Sequence, residues 1–246
     1  MIVLALVRKE LTLYFTSFLF YALATMFLVL AGHYFYGHVG FFVLFGGMDL
    51  SRGLWQWFFL RVQELLIVLI PLLTMRLFAE EKRLGTLELL WTYPVRDVEI
   101  IAGKFLACVA VVTLMLAATV VYPVLLGFLY PVDLGPVVAG YLGLWLLAVA
   151  FIACGLWLSA LTESQLVAGA ATYGVLGFFW AVTWNEAAVN EVTLNLLLPF
   201  SLFDRFYPFI RGVVETQNVS YLVLFATVFL GFTFFALDAR RWRGLR

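Results

Sequence analysis

Charge is scarce in this chain: fifteen acidic and fifteen basic side chains stand among 246 residues, 12% of the total. Soluble domains average about 25%. With hydrophobic residues at 65%, most of the chain must have lipid as its solvent, which excludes an ordinary soluble domain. The formal net charge is zero, so the positions of the charges carry the information and no basic surface for nucleic acid is expected. Only two cysteines occur, Cys108 and Cys154, each inside an apolar run. Such residues read as small buried hydrophobes rather than as redox or metal groups. The two histidines, His33 and His38, lie five apart at a membrane boundary with no third ligand nearby, which fits interfacial placement better than a metal site.

Several chemical signatures are missing as well. Gly103-Lys104 is followed by Phe105 and no glycine stands five residues before that pair, so the chain has no phosphate-cradling P-loop of its own. No HExxH, CxxC or nucleophile-elbow serine occurs. Mid-membrane ionisable residues, the usual mark of ion coupling, are nearly missing; Arg61 and Glu64, spaced to pair on one helix face, come nearest. An energy source within this sequence is not evident. Any pump built from it draws energy from a partner.

What is present is a succession of apolar runs. Six of them, near residues 18–36, 58–78, 101–130, 137–161, 166–184 and 221–237, suit membrane spans, for which about 20 residues suffice. The third is longer than needed and carries Pro123, which predicts tilt or a kink. Residues 1–16 are too charged to span. Arg8, Lys9, Thr12 and Thr16 share one helical face and Val3, Leu6, Val7 and Leu13 another, which predicts a helix lying along the membrane. A cleaved signal peptide fits poorly, because the charges follow the first apolar residues and no small-residue cleavage site follows them. Residues 37–57 read as a loop. Residues 185–218, with Pro199, Asp204, Arg205, Pro208 and Arg211, read as short interfacial helices.

The chain is organised around residues 76–104, its one long polar interruption with both signs of charge close together. Glu80, Glu81, Lys82, Arg83, Gly85 and Thr86 can hydrogen-bond or bend the backbone. Leu87, Leu89, Leu90 and Trp91 form an apolar surface after them, with Glu88 among them, and Pro94 closes the segment. This pattern predicts a short amphipathic helix with a proline stop. Six spans put both ends on one face with residues 76–104 and the link SALTESQ (159–165). That face holds Arg8, Lys9, Arg76, Lys82, Arg83, Arg96, Lys104, Arg240, Arg241, Arg243 and Arg246; the other holds Arg52, Arg61, Arg205 and Arg211. The asymmetry predicts cytoplasmic ends in a cell membrane.

The stretch RLFAEEKRLGTLELLWTYPVRDVEIIAGKFLA (76–107) resembles the cytoplasmic loop of type-2 ABC transporter permeases. In that family a charged stretch, a Gly-Thr, a Leu-rich helix and a proline link the second and third spans. SALTESQLVAG (159–169) is similar to the family's shorter loop, with Thr162, Glu163 and Ser164 at its turn. LPFSLFDRFYPFIRGVVE (198–215) resembles the external re-entrant helices before the last span, closest to the gliding-motility-associated branch. The chain departs from the commonest pattern in having Trp91-Thr92-Tyr93 before Pro94, where smaller residues are usual.

The resemblance implies an all-α integral membrane fold forming a single permease domain over 1–246. Its parts are an amphipathic elbow helix at 1–16, six transmembrane helices, a cytoplasmic coupling segment at 76–104 and an extracytoplasmic re-entrant segment at 185–218. It also implies a separate ABC ATP-binding subunit as partner, which binds ATP and Mg while this chain holds no cofactor and no catalytic group. Leu87, Leu89, Leu90 and Trp91 would fill a groove on that subunit, and Glu80, Glu81, Arg83 and Glu88 would orient it by charge. A second copy or a related permease, and an extracytoplasmic accessory protein, are further implied partners. On residues alone, the segment could equally be a headgroup anchor. Other readings are a haem-exporter permease, with a similar Gly-Thr-Leu-Glu loop, an intramembrane enzyme or a channel. The last two lack a catalytic pair and a polar filter respectively.

Overall fold

The computed structural model describes residues 2–45, 50–86, 95–181 and 200–244. Every regular element among them is helical. In chain order these are α1 (Ile2–Thr16), α2 (Phe18–Phe45), α3 (Leu50–Thr74), α4 (Ala79–Arg83) and α5 (Asp97–Thr119). They continue with α6 (Val121–Leu129), α7 (Leu134–Leu161), α8 (Gln165–Ala181), α9 (Leu202–Ile210) and α10 (Thr216–Gly244).

Among the described residues, five helical stretches are long and apolar enough to cross a membrane: Phe18–Phe42, Gly53–Arg83, Asp97–Leu129, Leu134–Leu161 and Thr216–Ala239. At the place of the fifth expected span stands a shorter apolar helix, Gln165–Trp180. The end of that run, 182–184, lies outside the described residues.

α7 is the hub of the bundle. It packs against α3, α5, α8, α9 and α10, and its buried positions occur all round the helix, from Val137 to Ala160. Apolar residues on every side are the sequence signature of such a helix. Small residues let its neighbours close in. A β-carbon at Gly143 would stand 2.6 Å from Phe209 Cβ, and one at Gly140 would collide with the Phe59 ring. Asp133 caps the helix by accepting from the Gly135 N–H at 3.1 Å.

The third apolar run breaks where proline requires it. Pro123 lies in the first turn of α6 and has no N–H to give the Thr119 carbonyl, so α5 ends at Thr119 and α6 begins at Val121. Elsewhere the sequence expectation needs correction. Of the expected loop at 37–57, the described residues are helical: α2 continues to Phe45 and α3 starts at Leu50, with 46–49 outside the described residues. Trp55 and Phe58, fully buried beside Phe35, stabilise the start of α3.

In α1 the stripe that meets the bundle is Val3, Leu6, Val7, Glu10, Leu11 and Tyr14, while Leu13 is exposed. The described part of the 185–218 segment also differs from a helix resting on the surface. Leu202, Phe206, Phe209 and Ile210 of α9 are fully buried against the bundle. Ser201 starts that helix by accepting from Asp204 N–H at 3.1 Å, and Gly212, at φ +83°, ends it.

Candidate functional site

The polar interruption begins as α3 gives way to α4. A helix start leaves backbone N–H groups without partners, and here a side chain from a distant helix meets two of them. Ser159 Oγ, near the end of α7, accepts from the N–H groups of Phe78 and Ala79, each at 3.1 Å. The same hydroxyl donates to the Met75 carbonyl at 3.1 Å. One buried serine thus joins the end of α3, the start of α4 and the end of α7. Lys82 extends the join: its buried ammonium donates to the Ala160 carbonyl, at a helix end where a cation also meets the negative end of the dipole.

On the other side of α4, charges from three helices converge. Lys104 Nζ lies 2.9 Å from Glu10 Oε1 and 2.9 Å from Glu81 Oε1. Lys9 Nζ lies 3.1 Å from the same Glu81 oxygen and 3.8 Å from Glu10. The Lys104 and Glu10 side chains are only 3% and 6% exposed, and the ammonium sits 5.4 Å from the centre of the Phe78 ring. Two cations and two carboxylates make a neutral set, which is how charge survives burial. The set fastens α4 to α1 and to the start of α5.

Close packing accompanies it. A β-carbon at Gly103 would stand 2.7 Å from Leu6 Cβ, so glycine lets α1 lie directly on α5. Tyr14 donates its hydroxyl to the Leu73 carbonyl at 3.1 Å, tying α1 to the end of α3. Burial holds that phenol well above its ordinary pKa, so it remains a donor. At the head of α5, Glu99 accepts from the Arg96 N–H at 2.9 Å, as a glutamate at the third position of a capping box does.

The predicted site residues are distributed as follows. Glu81 points inward, into the charge set. Arg83, Gly85 and Thr86 are exposed, and Glu80 is half-buried with its carboxylate 4.0 Å from Arg76 Nε. Leu84, next to them, is 62% exposed. Gly85 adopts φ +69° and closes α4 after Arg83. Leu87, Glu88, Leu89, Leu90, Trp91 and Pro94 lie outside the described residues.

In the second predicted loop, Thr162 Oγ1 accepts from Ser164 N–H at 3.1 Å, and Glu163 and Ser164 are exposed. Through Ser159 and Ala160 this loop adjoins α4, so both predicted loops share one end of the bundle. Arg61 and Glu64 pair at 2.7 Å and stay part-exposed, as their spacing predicts.

Sequence reading missed Glu10, Ser159 and the burial of Lys82 and Lys104. Two signals were available for the central pair. Glu10 is the single charge in the inward stripe of α1, and Lys104 is the single charge in the apolar run IIAGKFLA. Among the described residues, no group of three or more His, Cys, Asp and Glu side chains could hold a metal ion.

Compared with known proteins, residues 4–242 match the family model described as ABC-2 family transporter protein. No curated protein matches the chain.

Proposed function

Because the chain belongs to the ABC-2 transporter family, a multi-pass membrane permease that works with an ATP-binding subunit, we propose that it is an exporter half. In this reading the segment 76–104 is the coupling element through which that subunit drives the bundle. The observation that carries the reading is the fixation of α4. Ser159 and Lys82 bind it to α7, Lys104 to α5 and Lys9 to α1. A displacement applied at the exposed Arg83–Thr86 edge reaches three helices through short contacts, those to α7 and α5 buried. Rigid transmission of that kind is what nucleotide-driven movement of a membrane bundle requires.

In this reading both termini and Arg83 lie in the cytoplasm, and Asp49 and Asn190 lie outside. The permease pairs with a second copy or a related permease in the cell membrane, and an extracytoplasmic accessory protein completes the assembly. A β-carbon added at Gly174 or Gly177 of α8 would meet nothing within 4 Å, which leaves a smooth helix face for the second copy to approach. The sequence of residues 201–215 favours the gliding-motility-associated branch over a haem exporter.

Affinity purification of the tagged chain tests the reading: a separately encoded ATP-binding subunit should copurify in stoichiometric amount. Its absence from the purified, folded membrane protein would remove the basis for coupling. Labelling of single introduced cysteines by an impermeant reagent tests the orientation. Position 83 should resist it in intact cells while positions 49 and 190 react.

A further inference from the structure

A cleft of about 420 Å³ opens between α1, the start of α2, the end of α3 and α4. Its wall is mixed: Leu13, Leu19, Leu23 and Leu72 line it together with Lys9, Arg76, Glu80 and Glu81. Leu72 and Arg76 lie within about one turn of chain, where α3 leaves its apolar run. A cleft that combines leucines with paired charges at a helix end has the profile of a phospholipid at the membrane boundary.

The charges narrow the headgroup. The wall holds three cations, Lys9, Arg76 and Lys104, and three carboxylates, Glu10, Glu80 and Glu81, so a purely anionic headgroup meets as much repulsion as attraction. Among the described residues, two polar atoms in this wall are buried with no hydrogen-bond partner, the donor Arg76 Nε and the acceptor Glu81 Oε2. Arg76 otherwise reaches Ser17 Oγ at 3.4 Å and approaches Glu80 at 4.0 Å. Buried polar atoms are normally satisfied, and one unmet donor and one unmet acceptor in the same wall match a ligand that carries an anion and a donor cation together.

We infer that the cleft binds a phospholipid with a phosphoethanolamine headgroup. Arg76 and Lys9 take its phosphate, Glu81 takes its ammonium, and the leucines cover the upper part of an acyl chain. A quaternary ammonium has no N–H to offer Glu81, so phosphocholine fits less well. Glycerol offers no cation at all. The site does not depend on what docks at residues 87–94, and it places a lipid directly under α4.

Native mass spectrometry of the full chain, released from bilayer discs holding equal phosphatidylethanolamine, phosphatidylglycerol and phosphatidylcholine with identical tails, tests this. The ethanolamine lipid should be retained over each of the others by about tenfold, the scale of one charge-assisted hydrogen bond. Arg76→Gln should abolish the preference, and so should Leu13→Trp, which fills the apolar part of the cleft from an exposed position and carries the test if the first variant does not fold. Free O-phosphoethanolamine should not displace the lipid. Equal retention of all three lipids, preference for phosphatidylglycerol, displacement by the free headgroup, or an unchanged preference in a folded Leu13→Trp protein would each overturn the assignment.

Discussion

Lys104 and Glu10 are 94 residues apart in sequence, yet their charged atoms meet at 2.9 Å with both side chains almost fully buried. The pair clamps the surface helix α1 onto the head of α5, with Glu81 of α4 on the same ammonium. Removing the ammonium leaves buried Glu10 with only the more distant Lys9, at 3.8 Å. Lys104→Met is therefore expected to cost about 3–5 kcal/mol, the range for breaking a buried ion pair from one side. Thermal unfolding in detergent measures it. The double variant Lys104→Met/Glu10→Gln should lose less than the sum of the single losses, because Glu81 keeps Lys9 and no other lone charge is left.

Ser159 is a smaller group with a sharper readout. Ser159→Ala deprives the Phe78 and Ala79 N–H groups of their acceptor, at about 1–3 kcal/mol per buried group left unsatisfied. Hydrogen exchange at those two amides should accelerate, while exchange in the middle of α7 stays slow. Equal protection in the variant would mean that α4 is held by other contacts.

Gly103 tests the seat of α1. The β-carbon of Gly103→Ala would press on Leu6 Cβ at 2.7 Å, and overpacking of this kind costs about 1–3 kcal/mol. Leu6→Gly, which removes that β-carbon, should restore part of the loss when combined with it, although alone it destabilises. A Gly103→Ala protein as stable as the parent would show that α1 can lift away from α5 freely.

The broad plan was legible in the sequence because it follows from local chemistry. Long apolar runs gave the helices, Pro123 gave the break after Thr119, and the three-residue spacing of Arg61 and Glu64 gave their pair. A helix at 1–16 was legible, but its periodicity did not say which apolar residues meet protein, and Leu13 stays exposed. Gly85 turns the chain after α4 at φ +69°, a conformation open to glycine, and the apolar residues expected to dock, 87–91, lie outside the described residues. Glu10 with Lys104, and Ser159 with Phe78 and Ala79, were invisible to local reading because each pair forms only when distant helices meet. The inward stripe of α1 held the clue: one carboxylate among apolar neighbours calls for a buried cation.

The central claim, that residues 76–104 receive the force of ATP hydrolysis, is tested most directly at Glu88. Reversing a charge at a protein contact commonly costs several kcal/mol through like-charge juxtaposition and lost pairing. At a cytoplasmic headgroup surface an added lysine is tolerated. Glu88→Lys, at matched abundance in the membrane, should lose association with the ATP-binding subunit and the ATP hydrolysis that depends on the complex. Parental association and hydrolysis in that variant would show that the segment only anchors the chain, and would contradict the coupling account.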